Sequence, residues 1–235
     1  MIVSGIEVEI LKKNIKNIYL SVLPPDGQVR VSAPRTMKDE AIRSFVARHI
    51  EWINSKKHKI KSQPRRKSHE YVSGETHYYF GKPYELELRL HNGKAQAGIA
   101  ESKLILCTRP ASTTEQREKT LNEWYRQELR RTLGKLLPKW ENTAGVHPNE
   151  VRIKNMKTKW GTCNVQVKRI WINLQLAKKP VTCLEYVIVH ELVHLLEQNH
   201  NQNFRAYMDC FLPDWEKRKT ELNEFIVDDY EASSP

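Results

Sequence analysis

His190, Glu191, His194 and His200 place three imidazoles and one carboxylate within eleven residues. On an α-helix each residue advances about 100°, so His190 and His194 lie roughly 40° apart on one face, one turn from each other. Two imidazoles so placed can grip one metal ion. Glu191, about 100° round from His190, can reach a water at that ion without being a ligand, which suits a general base. Were the helix to continue, His200 would lie on the wrong side and about 15 Å further along the axis. The helix must therefore end first. Asn199 tolerates the left-handed conformation that closes helices, and it is expected to turn the chain so that His200 returns as third ligand. Three neutral imidazoles would leave zinc its full charge and bring the pKa of a water it activates to about 7. Glu191 would take that water's proton and later deliver it to a leaving group.

The helix needed to carry these groups is apolar around them. Tyr186, Val187, Ile188, Val189, Leu192, Val193, Leu195 and Leu196 interleave the motif, and burial fixes imidazole rotamers. A buried glutamate with no task would need hydrogen-bond partners of its own. Glu197 stands where metzincin proteases have glycine, which sets that class aside. It falls back on the metal face but roughly 10 Å along the axis, so a helix-end carboxylate fits it better than a ligand. Tyr186, Tyr207 and Lys159 are open alternatives for a second electrophile. Trp160, Gly161 and Thr162 can be read as an edge strand with glycine permitting close approach; a turn with Trp160 in the core is the alternative. Cys163 reads as a small buried thiol, because a fourth ligand would leave no place for water.

The surrounding elements indicate an α+β protein. Residues 6–11, 18–23 and 29–33 carry strand patterns, with residues 24–27 turning the last two into a hairpin. Thr36 is the expected cap of one helix whose apolar positions are Ile42, Phe45, Val46, Ile50 and Ile53. Residues 54–70 read as a helix end running into a linker. Strand patterns return at 78–81, 84–90 and 103–107, as a meander. Thr113 and Gln116 form a capping-box pattern that opens a long amphipathic helix ending near Gly145. Residues 151–163 and 169–176 suggest another hairpin. Pro180 opens the motif helix, and 201–211 and 215–226 read as shorter helices before a frayed acidic tail at 228–235. These elements group into an N-terminal β-rich subdomain with one helix, 1–108, and a metal-binding catalytic subdomain, 109–235, in which a long helix and a β-hairpin back the active-site helix. No internal sequence repeat is evident.

The 235 residues carry a formal charge of +11. That balance favours acidic partners, with the densest basic run at 56–67. Nucleic acid bound through this surface is one expectation, although the run lacks the aromatics of a binding platform. The four cysteines form no C-x-x-C pair, and the chain opens with no signal-like segment, so a cytoplasmic location is expected. No apolar run has the length to cross a bilayer.

Lys159-Trp160-Gly161-Thr162-Cys163, Ile172-Asn173-Leu174, the run from Tyr186 to His194, then Asn199-His200 and Phe204 resemble the signature of the YgjP-like metallopeptidase family, related to the SprT-like and WLM proteases. Pro25-Asp26-Gly27, Ala33-Pro34, Trp52-Ile53, Gly74-Glu75 and Tyr79-Phe80-Gly81 extend the resemblance over nearly the whole chain. The family more often has serine where Thr162 stands; the hydroxyl is kept. The resemblance implies a zincin-like core with a hairpin above the active-site helix, zinc held by His190, His194 and His200, and a catalytic Glu191; it would then put Trp160, Gly161 and Thr162 near the cleft as the candidate substrate-binding segment. A peptide substrate is expected. A nucleotide or other phosphoanhydride hydrolysed at the same site, or a DNA-associated protease, is the alternative.

Overall fold

Alternating apolar residues, several amphipathic helices and one strongly apolar helix build an α+β chain in the computed structural model, which describes residues 1–23, 26–62 and 69–224. Among these residues there are six α-helices and three small mixed sheets. None of the helices is long and apolar enough to cross a membrane. Contacts divide the chain into two units, Met1–Lys67 and Ser68–Pro235.

The first unit contains β1 (Ile2–Val3), β2 (Ile6–Lys13), β3 (Tyr19–Leu23) and β4 (Gln28–Pro34), in the order β1-β2-β4-β3. The expected hairpin is the antiparallel β3–β4 pair, with Leu20 opposite Val31. β2 runs parallel to β4 on the other side. Val8, Val29, Val31 and Ala33 bury one sheet face against Ile42, Val46 and Ile53. Two helices supply these last residues where one was expected: α1 (Asp39–Arg48) and α2 (Ile50–Ser62). The break falls at His49, whose ring N–H donates to the Phe45 carbonyl at 2.8 Å and satisfies an end-of-helix acceptor. Thr36 does not cap; Lys38 occupies the cap position without a side-chain bond, and Asp39 and Glu40 favour the first turn electrostatically. The segment expected as a helix end running into a linker is helical as far as Ser62, with Ile53 anchoring the helix on the sheet.

The second unit opens with β5 (Thr76–Tyr79), β6 (Lys82–Leu90), β7 (Gln96–Ala100) and β8 (Lys103–Thr108), ordered β5-β6-β8-β7. This is not the expected meander. β8 lies between β6, parallel to it, and β7, a strand the sequence pattern did not reveal. Leu104, Ile105 and Leu106 are buried in succession, as a central strand covered on both faces requires. The strand order and directions match those of the first sheet, so the fold repeats a topology that sequence self-similarity does not disclose.

A boundary after residue 108 was expected, whereas the units divide at 67/68. The physical reason is α3 (Thr114–Ala144): its Leu121, Tyr125 and Leu129 share one core with Leu86, Leu104 and Leu106. The Thr113–Gln116 capping box opens α3 and Gly145 closes it, as the pattern indicated. The third sheet, β9 (Glu150–Lys154), β10 (Gly161–Asn164) and β11 (Arg169–Asn173), has the order β10-β11-β9. The hairpin is β10–β11; residues 150–154 form a separate strand parallel to β11. Leu174 and Leu176, expected in the strand, belong to a 3-10 helix, Leu174–Lys178, because Asn173 turns its side chain to accept the Gln175 N–H. α4 (Val181–Val193), α5 (Gln202–Phe211) and α6 (Trp215–Glu224) complete the unit. The acidic tail lies outside the described residues.

Candidate metal centre

α4 is buried on nearly every side from Cys183 to Val193, so its apolar residues hold it rigidly. Its entry is fixed by the β5–β6 turn: Phe80 N–H donates to the Ala177 carbonyl at 2.9 Å and Gly81 N–H to the Lys178 carbonyl at 3.2 Å. Gly81 has φ +82°, and a Cβ there would come within 2.8 Å of Pro180 Cγ. Glycine is needed on both counts.

The helix stops earlier than expected. Val193 is its last residue, His194 caps it in a right-handed conformation, and a succession of tight turns carries the chain to His200. Asn199 is not left-handed. The Glu197 carboxylate instead accepts the Asn199 N–H at 3.1 Å and shapes the turn. Asn201 then caps α5 by accepting the Phe204 N–H at 3.0 Å.

These turns bring His200 Nε2 to 3.1 Å from His190 Nε2. One ligand atom from each of His190, His194 and His200 lies within 4.8 Å of the others. Phe204 packs its ring against all three imidazoles, with centroids 4.6 to 5.0 Å away. His194 Nδ1–H donates to the Glu197 carbonyl at 3.2 Å, which fixes the tautomer and leaves Nε2 with its lone pair. Burial, with His194 and His200 adjacent, lowers the His190 pKa to about 3; burial lowers those of His194 and His200 too. All three rings are neutral at pH 7, the form that ligates.

Glu191 is buried beside them, and its Oε2 has no hydrogen-bond partner. Burial raises its pKa to about 8, against a lowering by Lys159. Gly161 lies directly over it: a Cβ at Gly161 would meet Glu191 Oε1 at 2.5 Å. Three convergent neutral nitrogens and an adjacent orphaned carboxylate oxygen fit a transition-metal ion with a water beside it.

A cleft of about 710 Å³ opens at this point, lined by Trp160, Gly161, Thr162, Lys159 and Tyr186 as well as the motif. β10 is one of the two edge strands of its sheet. Of the open electrophile candidates, Lys159 and Tyr186 line the cleft, while Tyr207 stacks on Phe211 at 5.8 Å and does not. Cys163 borders the cleft with a thiol pushed up to about 11 by burial and by Glu191. Trp160 is buried, with Lys179 Nζ 4.9 Å from its ring centre.

Asn173 has a role that reasoning from residue spacing missed. Fully buried, it donates to the carbonyls of Lys159 at 2.6 Å and Met156 at 3.0 Å, and accepts the Met156 and Gln175 N–H groups. It thereby pins the loop that lays Trp160 and Gly161 over α4. The available signals were its place in the Ile172-Asn173-Leu174 part of the family signature and its position as a polar residue ending a strand with Ile170 and Ile172.

A solved structure similar to part of this chain is that of the metallopeptidase zymogen of Pyrococcus abyssi abylysin. It is 18% identical, with a TM-score of 0.36, and the match covers 38% of this chain and 90% of that one. No curated protein matches. The sequence profile described as YgjP-like, metallopeptidase domain matches residues 16–225. With that match spanning most of its length, the chain belongs to the YgjP-like metallopeptidase family.

Proposed function

We propose that the chain is a zinc-dependent peptidase in which His190, His194 and His200 hold the ion and Glu191 is the general base. The observation that carries this reading is the buried, unpartnered Oε2 of Glu191 beside three neutral imidazoles. A bound zinc ion supplies Lewis acidity, acidifying water and polarising a carbonyl. Glu191 accepts the proton of the attacking water and returns it to the leaving amine. Burial raises its pKa to about 8, and a cation bound beside it would favour the ionised form that takes the proton. The His194 bond to the Glu197 carbonyl and the Phe204 ring hold the ligands in one orientation.

The outer edge of β10, with Gly161 and Thr162, offers main-chain groups to an extended peptide, which would add as a further strand. A phosphoanhydride substrate would need cations to grip it. Among the described residues lining the cleft, Lys159 is the single lysine or arginine, which favours a peptide. The basic run at 56–67 lies partly outside the described residues, and no observation supports its binding nucleic acid. Zinc-loaded protein incubated with a peptide pool and with a nucleoside triphosphate panel separates the readings. New peptide termini without phosphate release are expected; phosphate release without peptide cleavage refutes the peptidase.

A further inference from the structure

A second set of metal-ligating side chains lies in the same unit, among residues that do not line the cleft. His69 Nδ1 is 3.0 Å and His77 Nε2 is 3.1 Å from the same oxygen, Glu75 Oε2. Glu75 and His77 are two apart on extended chain entering β5, so they share a face. His69 stacks on His77 at 4.3 Å, and the Tyr71 ring lies beside both, 5.6 Å from His77 and 5.8 Å from His69. The backbone N–H groups of Glu70 and Tyr71 donate to the carboxylate at 2.8 and 3.1 Å, which orients it as ligating carboxylates are oriented.

We propose that His69, Glu75 and His77 form a second site for a divalent transition-metal ion of the zinc class, with a fourth position open to water. Two imidazoles and a carboxylate are a zinc donor set. Around zinc, with bonds of about 2.0–2.1 Å, tetrahedral ligand atoms stand roughly 3.3 Å apart. The two distances onto Glu75 are near that value and match the 3.1 Å between His190 and His200. His77 is buried. In the ion-free state each ring donates an N–H to Oε2. On binding, each ring's proton shifts to its other nitrogen, the ring stays neutral, and the freed lone pair turns to the ion. The ion would then tie residues 69–71 to β5.

The test is zinc content by mass spectrometry of elements after loading with zinc chloride and exchange against a weak chelator. Wild type, Glu75→Gln, His69→Gln and His194→Ala are compared, with folding followed by circular dichroism. Glu75→Gln keeps the shape of the side chain, so it serves if His69→Gln unfolds. Two ions per chain in wild type and one in each variant are expected. In His194→Ala, zinc should also raise the melting temperature, through the remaining site. A single ion in wild type, lost in His194→Ala and retained in Glu75→Gln, overturns the proposal. A single ion with the opposite pattern upholds this site and removes the metal from the His190 triad, so the two failures are told apart.

Discussion

Gly161→Ala perturbs the candidate active site without touching a metal ligand. The added Cβ would stand 2.5 Å from Glu191 Oε1, 2.8 Å from Cγ and 2.9 Å from Cδ. Ordinary contact begins near 3.4 Å, so the carboxylate must shift by roughly 0.9 Å, and buried packing leaves it little room. Overpacking of this kind costs about 1–3 kcal/mol of stability. Displacing a reacting group by about 1 Å costs on the order of 10²-fold in rate. The imidazoles keep their positions on α4 and in the turn to His200, so zinc content should not change. The assay is peptide-pool cleavage normalised to zinc, with thermal unfolding alongside. Full zinc content with turnover down by about two orders of magnitude is expected. Wild-type turnover in folded, zinc-replete Gly161→Ala would refute the role given both to this close approach and to the placement of Glu191.

His200→Ala should remove one zinc equivalent, whereas Glu197→Ala, which removes only a turn-shaping carboxylate, should remove none; elemental analysis decides. Asn173→Ala deletes four hydrogen bonds at a fully buried position and should cost about 2–4 kcal/mol in urea unfolding; a cost below about 1 kcal/mol would mean the loop is held by other contacts. Gly81→Ala meets both a left-handed backbone and Pro180, and should destabilise by about 1–3 kcal/mol, read as a lowered melting temperature. Cys163 and Cys183 have thiols raised to about 11 and about 12 by burial, so their thiolate forms are scarce at pH 8 and grow tenfold per pH unit below those values. Iodoacetamide at pH 8 should therefore label exposed Cys210 first, and labelling of Cys163 should rise steeply toward pH 10; equal rates at pH 8 would contradict that burial.

The clustering of His190, His194 and His200 was legible because helical spacing alone aligns His190 with His194, and because His200 can join them only if the helix stops. Where it stops was not legible. Asn199 looked like the closing residue, but the helix ends at Val193, and hydrogen bonds around Glu197 that no propensity encodes carry the turn. Most strand positions were legible from alternation, β7 excepted, whereas strand order was not: β4 and β8 each pair with strands on both sides, through long-range hydrogen bonds that are a tertiary property. Thr36 carried a capping residue's chemistry at a place where the chain begins its helix two residues later. Asn173 was visible as a residue but not as a clamp, since its partners lie 14 and 17 positions away.

Comparison of Glu191→Gln with wild type, both loaded with zinc and incubated with the same peptide pool, tests the central claim most directly. Glutamine keeps the shape of the side chain and cannot take a proton. Zinc content equal to wild type, with cleavage reduced by several orders of magnitude, is the expected result. Cleavage within a few-fold of wild type would contradict the assignment of Glu191 as the base.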